Sequence, residues 1–246
     1  MNLSDIAFSS YLYKIAWSEN RELYVRLREA LRRDEVLARA QTGETLLEWL
    51  NSWGCRLDKS GFSSVGYAEL SKWYGTFVGK LPSDDESMLA LTDGQLDWAA
   101  EAYEDLFHRK ASARRRFQAT ASAKILFAVK PNAFPPWDQA IRDGLKLDGT
   151  RKSYREFLDR ARSELQDLEK SCALNGVKLG DLSSMFHREN WTLPKIVDEY
   201  FWIKFTQKCP TPDGNTLRQW LHWSASSPRK GVVTAAMNSQ ERTVEQ

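Results

Sequence analysis

The sequence predicts an all-α protein, mainly because of the spacing of its apolar residues. Across residues 20 to 40, apolar side chains recur at intervals of three and four: Leu23, Leu27, Ala30, Leu31 and Leu37. This spacing places them on one face of a helix. The alternation expected of a strand is confined to a weak case near residues 55 to 63. We therefore expect a globular helical fold, with one core or with two closely packed lobes and a cleft near residues 110 to 140.

Capping boxes are the second observation that favours helices. In a capping box, a hydroxyl residue stands three positions before Glu or Gln, and each side chain bonds the other's backbone N–H group. The spacing occurs in three pairs: Ser83 with Glu86, Thr92 with Gln95, and Ser153 with Glu156. We expect a helix to begin at each pair. Further helices are predicted over residues 3 to 17, 43 to 53, 65 to 79, 94 to 108, 119 to 129, 138 to 147, 153 to 172, 194 to 206 and 215 to 223.

Length and composition define the domain and its surroundings. The chain has 246 residues and is 42% apolar, enough for a substantial core over residues 1 to 223. Residues 224 to 246 are small and polar, which predicts a flexible tail. The sequence has no signal-peptide pattern at its start and no apolar run of about 18 residues, as a membrane span requires. Three isolated cysteines fit a reducing compartment. We expect a monomeric cytoplasmic protein without membrane contact.

Patterns that would hold a metal or a cofactor are missing from the sequence. His108, His187 and His222 are far apart and match no zinc-ligand spacing. The glycines of GLKLDG and GVKLG lack the spacing and the strand context of a nucleotide-binding loop. We therefore predict no metal and no cofactor.

The distribution of charge contains the first functional signal. The chain's net charge is only +2, yet the 32 residues from Leu106 to Trp137 contain no acid and seven basic residues: Arg109, Lys110, Arg114, Arg115, Arg116, Lys124 and Lys130. Five of these lie in HRKASARRRF, between two predicted helices, where side chains and free backbone N–H groups can both contact phosphate. The alternative is a solvated loop whose charges balance Glu101, Glu104 and Asp105.

A double proline precedes the next acid, Asp138, in the stretch VKPNAFPPWDQAI. Because proline lacks an N–H donor and restricts the residue before it, Pro135 and Pro136 end any preceding helix. Asp138 then falls at the N-cap or first turn of a new helix, where its carboxylate accepts backbone N–H bonds. A plain helix cap explains this placement, and so does an acid held ionised for chemistry.

Lys124 lies fourteen residues before Asp138 in the predicted helix ATASAKILFAV. The small residues that precede it, Ala121 to Ala123, allow another backbone to come close. A hairpin of two helices would bring Lys124 and Asp138 to one cleft. The other interpretation is an ammonium group that reaches the surface from an apolar helix.

Residues 121 to 141, ASAKILFAVKPNAFPPWDQAI, resemble a segment of the helix-hairpin-helix DNA glycosylases, in particular the 8-oxoguanine-glycosylase-like branch. The matched positions are Lys124 and the signature Pro136, Trp137, Asp138. ATASAK stands where the family has a glycine-rich turn. The resemblance implies an enzyme that flips a modified base out of double-stranded DNA and breaks its bond to the sugar.

In that interpretation Asp138 stabilises the positive charge that develops on the sugar or orients water. Lys124, or water in its place, attacks the sugar carbon. Trp137 lines the base pocket. The basic residues Arg109, Lys110, Arg114, Arg115, Arg116 and Lys130 hold the DNA. Base excision would serve DNA repair or defence against modified foreign DNA. The alternative function is a helical module that binds nucleic acid without cleaving it.

Overall fold

The computed structural model describes residues 1–16, 21–33, 40–186 and 192–217, and it confirms the all-α fold. Most of the described residues are helical, and within the described ranges the only β-pairing is an isolated antiparallel bridge between Lys110 and Arg116. The α-helices are α1 (Leu3–Ala16), α2 (Arg21–Arg33), α3 (Ala40–Ser52), α4 (Lys59–Gly61), α5 (Tyr67–Phe77), α6 (Asp93–His108), α7 (Gln118–Val129), α8 (Gln139–Leu145), α9 (Arg151–Leu174), α10 (Leu182–Met185) and α11 (Leu193–Phe201).

Single-turn elements extend several of these helices. A short π-helix over Phe62–Gly66 joins α4 to α5, and a second π-helix over Trp202–Thr206 continues α11. The weak strand signal near residues 55 to 63 is therefore wrong, since this segment is helical from Lys59 onward. Residues 214–217 are also helical, and the rest of the helix predicted over 215 to 223 lies outside the described residues, as does the tail predicted over 224 to 246.

Only one of the three capping boxes forms as the sequence predicts. Thr92 and Gln95 bond each other's backbone N–H groups, and α6 begins at the next residue. Ser83 begins no helix: its backbone N–H donates to the Glu86 carboxylate over 3.3 Å, but only a turn follows, and the other Glu86 oxygen accepts a hydrogen bond from the Gln95 amide. At α9 the cap is Thr150, whose hydroxyl accepts the N–H of Ser153 over 3.3 Å, so the helix begins two residues earlier than predicted.

The chain divides into two compact units, Met1–Trp17 with Arg160–Gln246, and Ser18–Asp159. In the first unit, α1 packs against α11. Buried Lys195 of α11 donates hydrogen bonds to Asp198 over 2.7 Å and to the Tyr13 hydroxyl of α1 over 3.1 Å. These contacts pair a charge that would be unfavourable if buried alone.

The second unit is built around α7. Nearly every residue of this helix from Ala119 to Val129 is buried, and α2, α3 and α6 pack against it. A helix that is apolar all round needs such surroundings. Its small residues, which include Ala121 and Ala123, let the neighbouring helices approach. None of the helices that the structure describes combines the length and the apolar character needed to cross a membrane.

Candidate nucleic-acid interface

A cleft of about 690 Å³ opens in the second unit where α7 begins. Its walls come from the loop before α7, the first turn of α7, helix α8 and two short loops. The residues that line it are Gly54, Cys55, Phe107, Arg114, Arg115, Arg116, Phe117, Gln118, Ala119, Thr120, Ala121, Gln139, Arg142 and Asp148. We call this site the arginine cleft.

The loop between α6 and α7 is held in one shape by its own hydrogen bonds. The Ser112 hydroxyl accepts the backbone N–H groups of Arg114 and Arg115 at 3.3 and 3.1 Å. The carbonyl of Arg115 accepts the N–H groups of Ala111 and Ser112. Gly66 makes room for the loop, since a Cβ there would lie 2.4 Å from the Ala111 carbonyl oxygen. The turn therefore presents the three arginine side chains from a fixed backbone.

The first turn of α7 faces the same space. No side chain caps the start of this helix, and Gln118 has a φ of +59°, in the left-handed region. Non-glycine residues adopt that conformation rarely, because it costs them roughly 1–2 kcal/mol of conformational free energy. Residues in such conformations are concentrated at ligand sites. Free N–H groups at a helix start favour an anion, through both hydrogen bonding and the helix dipole.

Arg142 of α8 is the buried member of the arginine cleft, at 5% exposed. Its guanidinium donates to the Thr120 hydroxyl over 3.0 Å and to the side-chain oxygen of Gln139. It also lies 5.4 Å from the centre of the Trp137 ring. Burial lowers the pKa of Arg142 below its usual value, while nearby groups such as Asp138 act in the opposite direction. An arginine stays charged even so.

Carboxylates near the four arginines act on them at longer range than an ion pair: Asp58 on Arg115, and Asp138 and Asp143 on Arg142. Arg142 bonds only neutral acceptors, and Arg116 contacts the ring of His108 over 3.1 Å. None of the four side chains forms an ion pair with a carboxylate of a described residue. A cleft with this composition is suited to an anionic ligand.

Two further residues that line the cleft differ from the arginines in chemistry. Asp148 is an acid whose pKa is lowered to about 2 by hydrogen bonds from Ser153 and Thr150, so it stays ionised. Phe107 is half-buried and also lines the cleft, and its ring packs against the rings of Tyr103 and His108. The cleft therefore combines positive charge, one fixed negative charge and two aromatic residues, half-buried Phe107 and buried Phe117.

Asp138 is the N-cap of α8, as the double proline predicts. Its carboxylate accepts the N–H of Ile141 over 2.8 Å, and its backbone is extended. The side chain is half-buried and is not among those that line the arginine cleft, although the next residue, Gln139, is.

Lys124 and Trp137 are both buried, and neither lines the arginine cleft. Lys124 is 7% exposed, and its ammonium group donates to the Trp53 carbonyl and lies 5.5 Å from the centre of the Trp53 ring. Trp137 is fully buried, packs against Tyr154 and Phe157, and donates to the Ala119 carbonyl over 3.4 Å. The cleft therefore does not bring Lys124 and Asp138 together, since neither residue lines it. Trp137 contacts two residues that line the cleft, Ala119 and Arg142, but does not line it itself.

The predicted DNA-binding residues fall into two groups. Arg114, Arg115 and Arg116 line the cleft together. Arg109 pairs instead with Asp105 and with Glu69, the latter over 3.4 Å, and Lys130 pairs with Asp84 over 2.7 Å. Lys110 is exposed outside the cleft lining.

Several lining residues were not predicted from the sequence, in particular Arg142, Phe107 and Gln118. Arg142 follows Asp138 by four positions, which is one turn of α8, so the helix start that the prolines impose also predicts that the two lie on the same side. No comparable signal marks Phe107 or the left-handed Gln118.

The comparisons with known proteins identify no relative: no protein-family model, curated protein or solved structure matches this chain. The geometry of the arginine cleft is therefore the basis on which its function can be proposed.

Proposed function

We propose that this protein binds nucleic acid through the arginine cleft, as a module without catalytic activity. One observation carries the proposal: four arginines line a single concave space, and none of them is paired with a carboxylate of a described residue. Guanidinium groups bind phosphate in a bidentate manner, and the uncapped start of α7 adds backbone donors to the same space. Since the net charge of the chain is only +2, attraction of a polyanion depends on this local concentration of charge.

The test is the salt dependence of binding to short DNA strands, followed by fluorescence anisotropy. Replacement of Arg114, Arg115 and Arg116 by Ala should weaken binding and reduce the slope of log K against log salt by about two to three, because each phosphate contact contributes roughly 0.7–0.9. A matched control removes three basic side chains that lie outside the cleft, Lys72, Arg151 and Lys152. An equal loss in both triple variants would show that the basic loop is ordinary solvated surface, and the proposal would fail.

DNA glycosylase activity is the second candidate, and the position of Asp138 favours it. Asp138 is half-buried at a fixed helix start, and its neighbour Gln139 lines the arginine cleft. A carboxylate at that edge would stabilise positive charge on the sugar of a nucleotide bound in the cleft. Asp138→Asn keeps the cap, and should reduce base release by a factor on the order of a hundred if the carboxylate acts in catalysis.

The assay is incubation with DNAs that carry different modified bases, followed by detection of abasic sites. Borohydride reduction then distinguishes the nucleophile, because only an attacking amine gives a covalent protein–DNA adduct that Lys124→Ala removes. We expect no adduct, since the ammonium group of Lys124 is directed at the Trp53 carbonyl. Absence of base release from every modified DNA would leave binding as the function.

A further inference from the structure

We infer that the arginine cleft holds the phosphate-bearing end of a single strand, with the terminal phosphate against the arginines and the terminal base against Phe107. The inference rests on the proposed function and deepens it by specifying the part of the nucleic acid that is bound.

The size of the arginine cleft is the first argument. A volume of about 690 Å³ lies within the range of about 300–1,000 Å³ that is usual for small-molecule sites. One or two nucleotide units fit into such a space, whereas a base-paired duplex does not. A strand must therefore enter by an end or by an unpaired nucleotide.

The amount of charge favours an end over an internal position. An internal phosphodiester carries one negative charge, whereas a terminal phosphate carries about 1.5 to 2 at neutral pH. Three exposed arginines, buried Arg142 and the start of α7 meet in one space whose lining contains one carboxylate, Asp148, and the net positive charge that remains is more than one phosphodiester neutralises. The hydrogen bond to Thr120 holds the Arg142 guanidinium in place before the ligand arrives, and the hydrogen bonds of the loop hold the backbone from which the three exposed arginines extend.

Asp148 and Phe107 give the bound end an orientation. The ionised carboxylate of Asp148 repels phosphate from its side of the cleft. The half-buried ring of Phe107 offers a flat apolar surface on which a base stacks whatever its sequence. The side-chain amide of Gln118 forms no hydrogen bond with the described part of the chain, so it can contact the edge of that base.

The experiment measures binding of the full chain to single DNA strands of about twelve nucleotides, labelled on an internal base. The strands have a hydroxyl at both ends, a 5′-phosphate, a 3′-phosphate, or a 5′-phosphate on a terminal nucleotide without a base. We expect a terminal phosphate to tighten binding by about tenfold, and the two phosphorylated strands identify the end that is bound. Loss of the terminal base should weaken binding by up to about tenfold.

Variants tie this preference to the cleft. The double change Arg114→Ala with Arg115→Ala alters exposed side chains only, and should reduce the preference for a phosphorylated end to less than about threefold. The matched control, Arg151→Ala with Lys152→Ala, should keep the full preference. Arg142→Lys should also lower it, provided that thermal unfolding shows the variant to be folded.

The outcomes separate this inference from the proposed function. Equal binding of hydroxyl and phosphorylated strands would overturn the terminal-phosphate site but leave nucleic-acid binding intact. Absence of binding to every strand would overturn both. A free nucleoside monophosphate that competes as well as a phosphorylated strand would show that the cleft takes a nucleotide, and the assignment to a strand end would fail.

Discussion

The guanidinium of Arg142 donates a hydrogen bond to the hydroxyl of Thr120 over 3.0 Å and thereby connects α8 with the first turn of α7. This contact therefore links α8, which begins after the double proline, to the part of α7 that lines the arginine cleft. Because Arg142 is buried, the direction of its charged group depends on such neutral acceptors.

Replacement of Thr120 by Val tests that connection. The two side chains have similar shapes, but Val cannot accept the hydrogen bond, so a buried guanidinium loses one of its acceptors. We expect the free energy of unfolding to fall by about 1–2 kcal/mol and binding of phosphorylated strands to weaken. Thr76→Val is the control, because the Thr76 hydroxyl only donates to the Lys72 carbonyl on the exposed face of α5. Urea unfolding measures both variants, and equal losses would contradict a special role for Thr120.

Gly149 lies where the backbone passes close to Ala119 and Arg142, and a substitution there tests whether this position requires glycine. Its φ is +86°, and a Cβ there would lie 3.3 Å from the Ala119 Cβ and 3.6 Å from the Arg142 side chain. We expect Gly149→Ala to lower the free energy of unfolding by at least about 1–2 kcal/mol, the approximate penalty for a left-handed non-glycine residue.

Gly75→Ala is the matched control for that substitution. Gly75 lies inside α5 with nothing within 4 Å of the position its Cβ would take. Alanine there should raise the free energy of unfolding by up to about 1 kcal/mol, since it is the better helix former. Chemical denaturation of the two variants should give changes of opposite sign. A Gly149→Ala protein as stable as the parent would contradict the prediction, because it would show that the backbone at this turn shifts to accommodate the Cβ.

Local signals in the sequence were enough to predict much of the fold. The helical periodicity gave α6, α7 and α9 nearly to their observed bounds, and Pro135 and Pro136 placed Asp138 at the N-cap of α8. These features depend on neighbours in the sequence, so they can be derived from it. The pair Ser83 and Glu86 forms only half of its capping box, the bond from the Ser83 N–H to the Glu86 carboxylate, and a turn follows it where the sequence predicts a helix.

The acid-free segment shows how a correct observation can have two causes. Its longer part, from Phe117 to Trp137, is mostly buried, where an unpaired charge is unfavourable, and this accounts for the missing acids there. The exposed basic surface is confined to the shorter part, in the loop that carries Arg114 to Arg116. Sequence spacing could not distinguish the two parts, nor could it place Lys124 against the Trp53 carbonyl, since that contact spans 71 residues.

Asp148 makes a pH dependence testable. In the folded protein, hydrogen bonds from Ser153 and Thr150 lower its pKa from 3.8 to about 2. Its contribution to stability is therefore present above pH 3.8 and is lost as the pH falls from there towards 2. Asp148→Asn cannot be protonated in that window, so the urea midpoint of this variant should fall less steeply with acidification than that of the parent. Asp85→Asn, at an exposed position, should leave the steepness unchanged, and identical acid profiles for all three proteins would contradict the assignment.

Substitutions of Asp138 measure how much its carboxylate stabilises α8 as a cap, independently of any role in catalysis. Its oxygen accepts the N–H of Ile141 over 2.8 Å, and asparagine can replace aspartate in that bond. We expect Asp138→Asn to change the free energy of unfolding by only a few tenths of a kcal/mol and Asp138→Ala to lower it by about 1 kcal/mol. DNA binding of the Asn variant should be equal or tighter, because one negative charge beside the arginine cleft has gone. Thermal unfolding and anisotropy provide the measurements. An Asn variant as unstable as the Ala variant would show that the charge itself, acting on Arg142 or on the start of α8, contributes the stability that the cap was expected to supply.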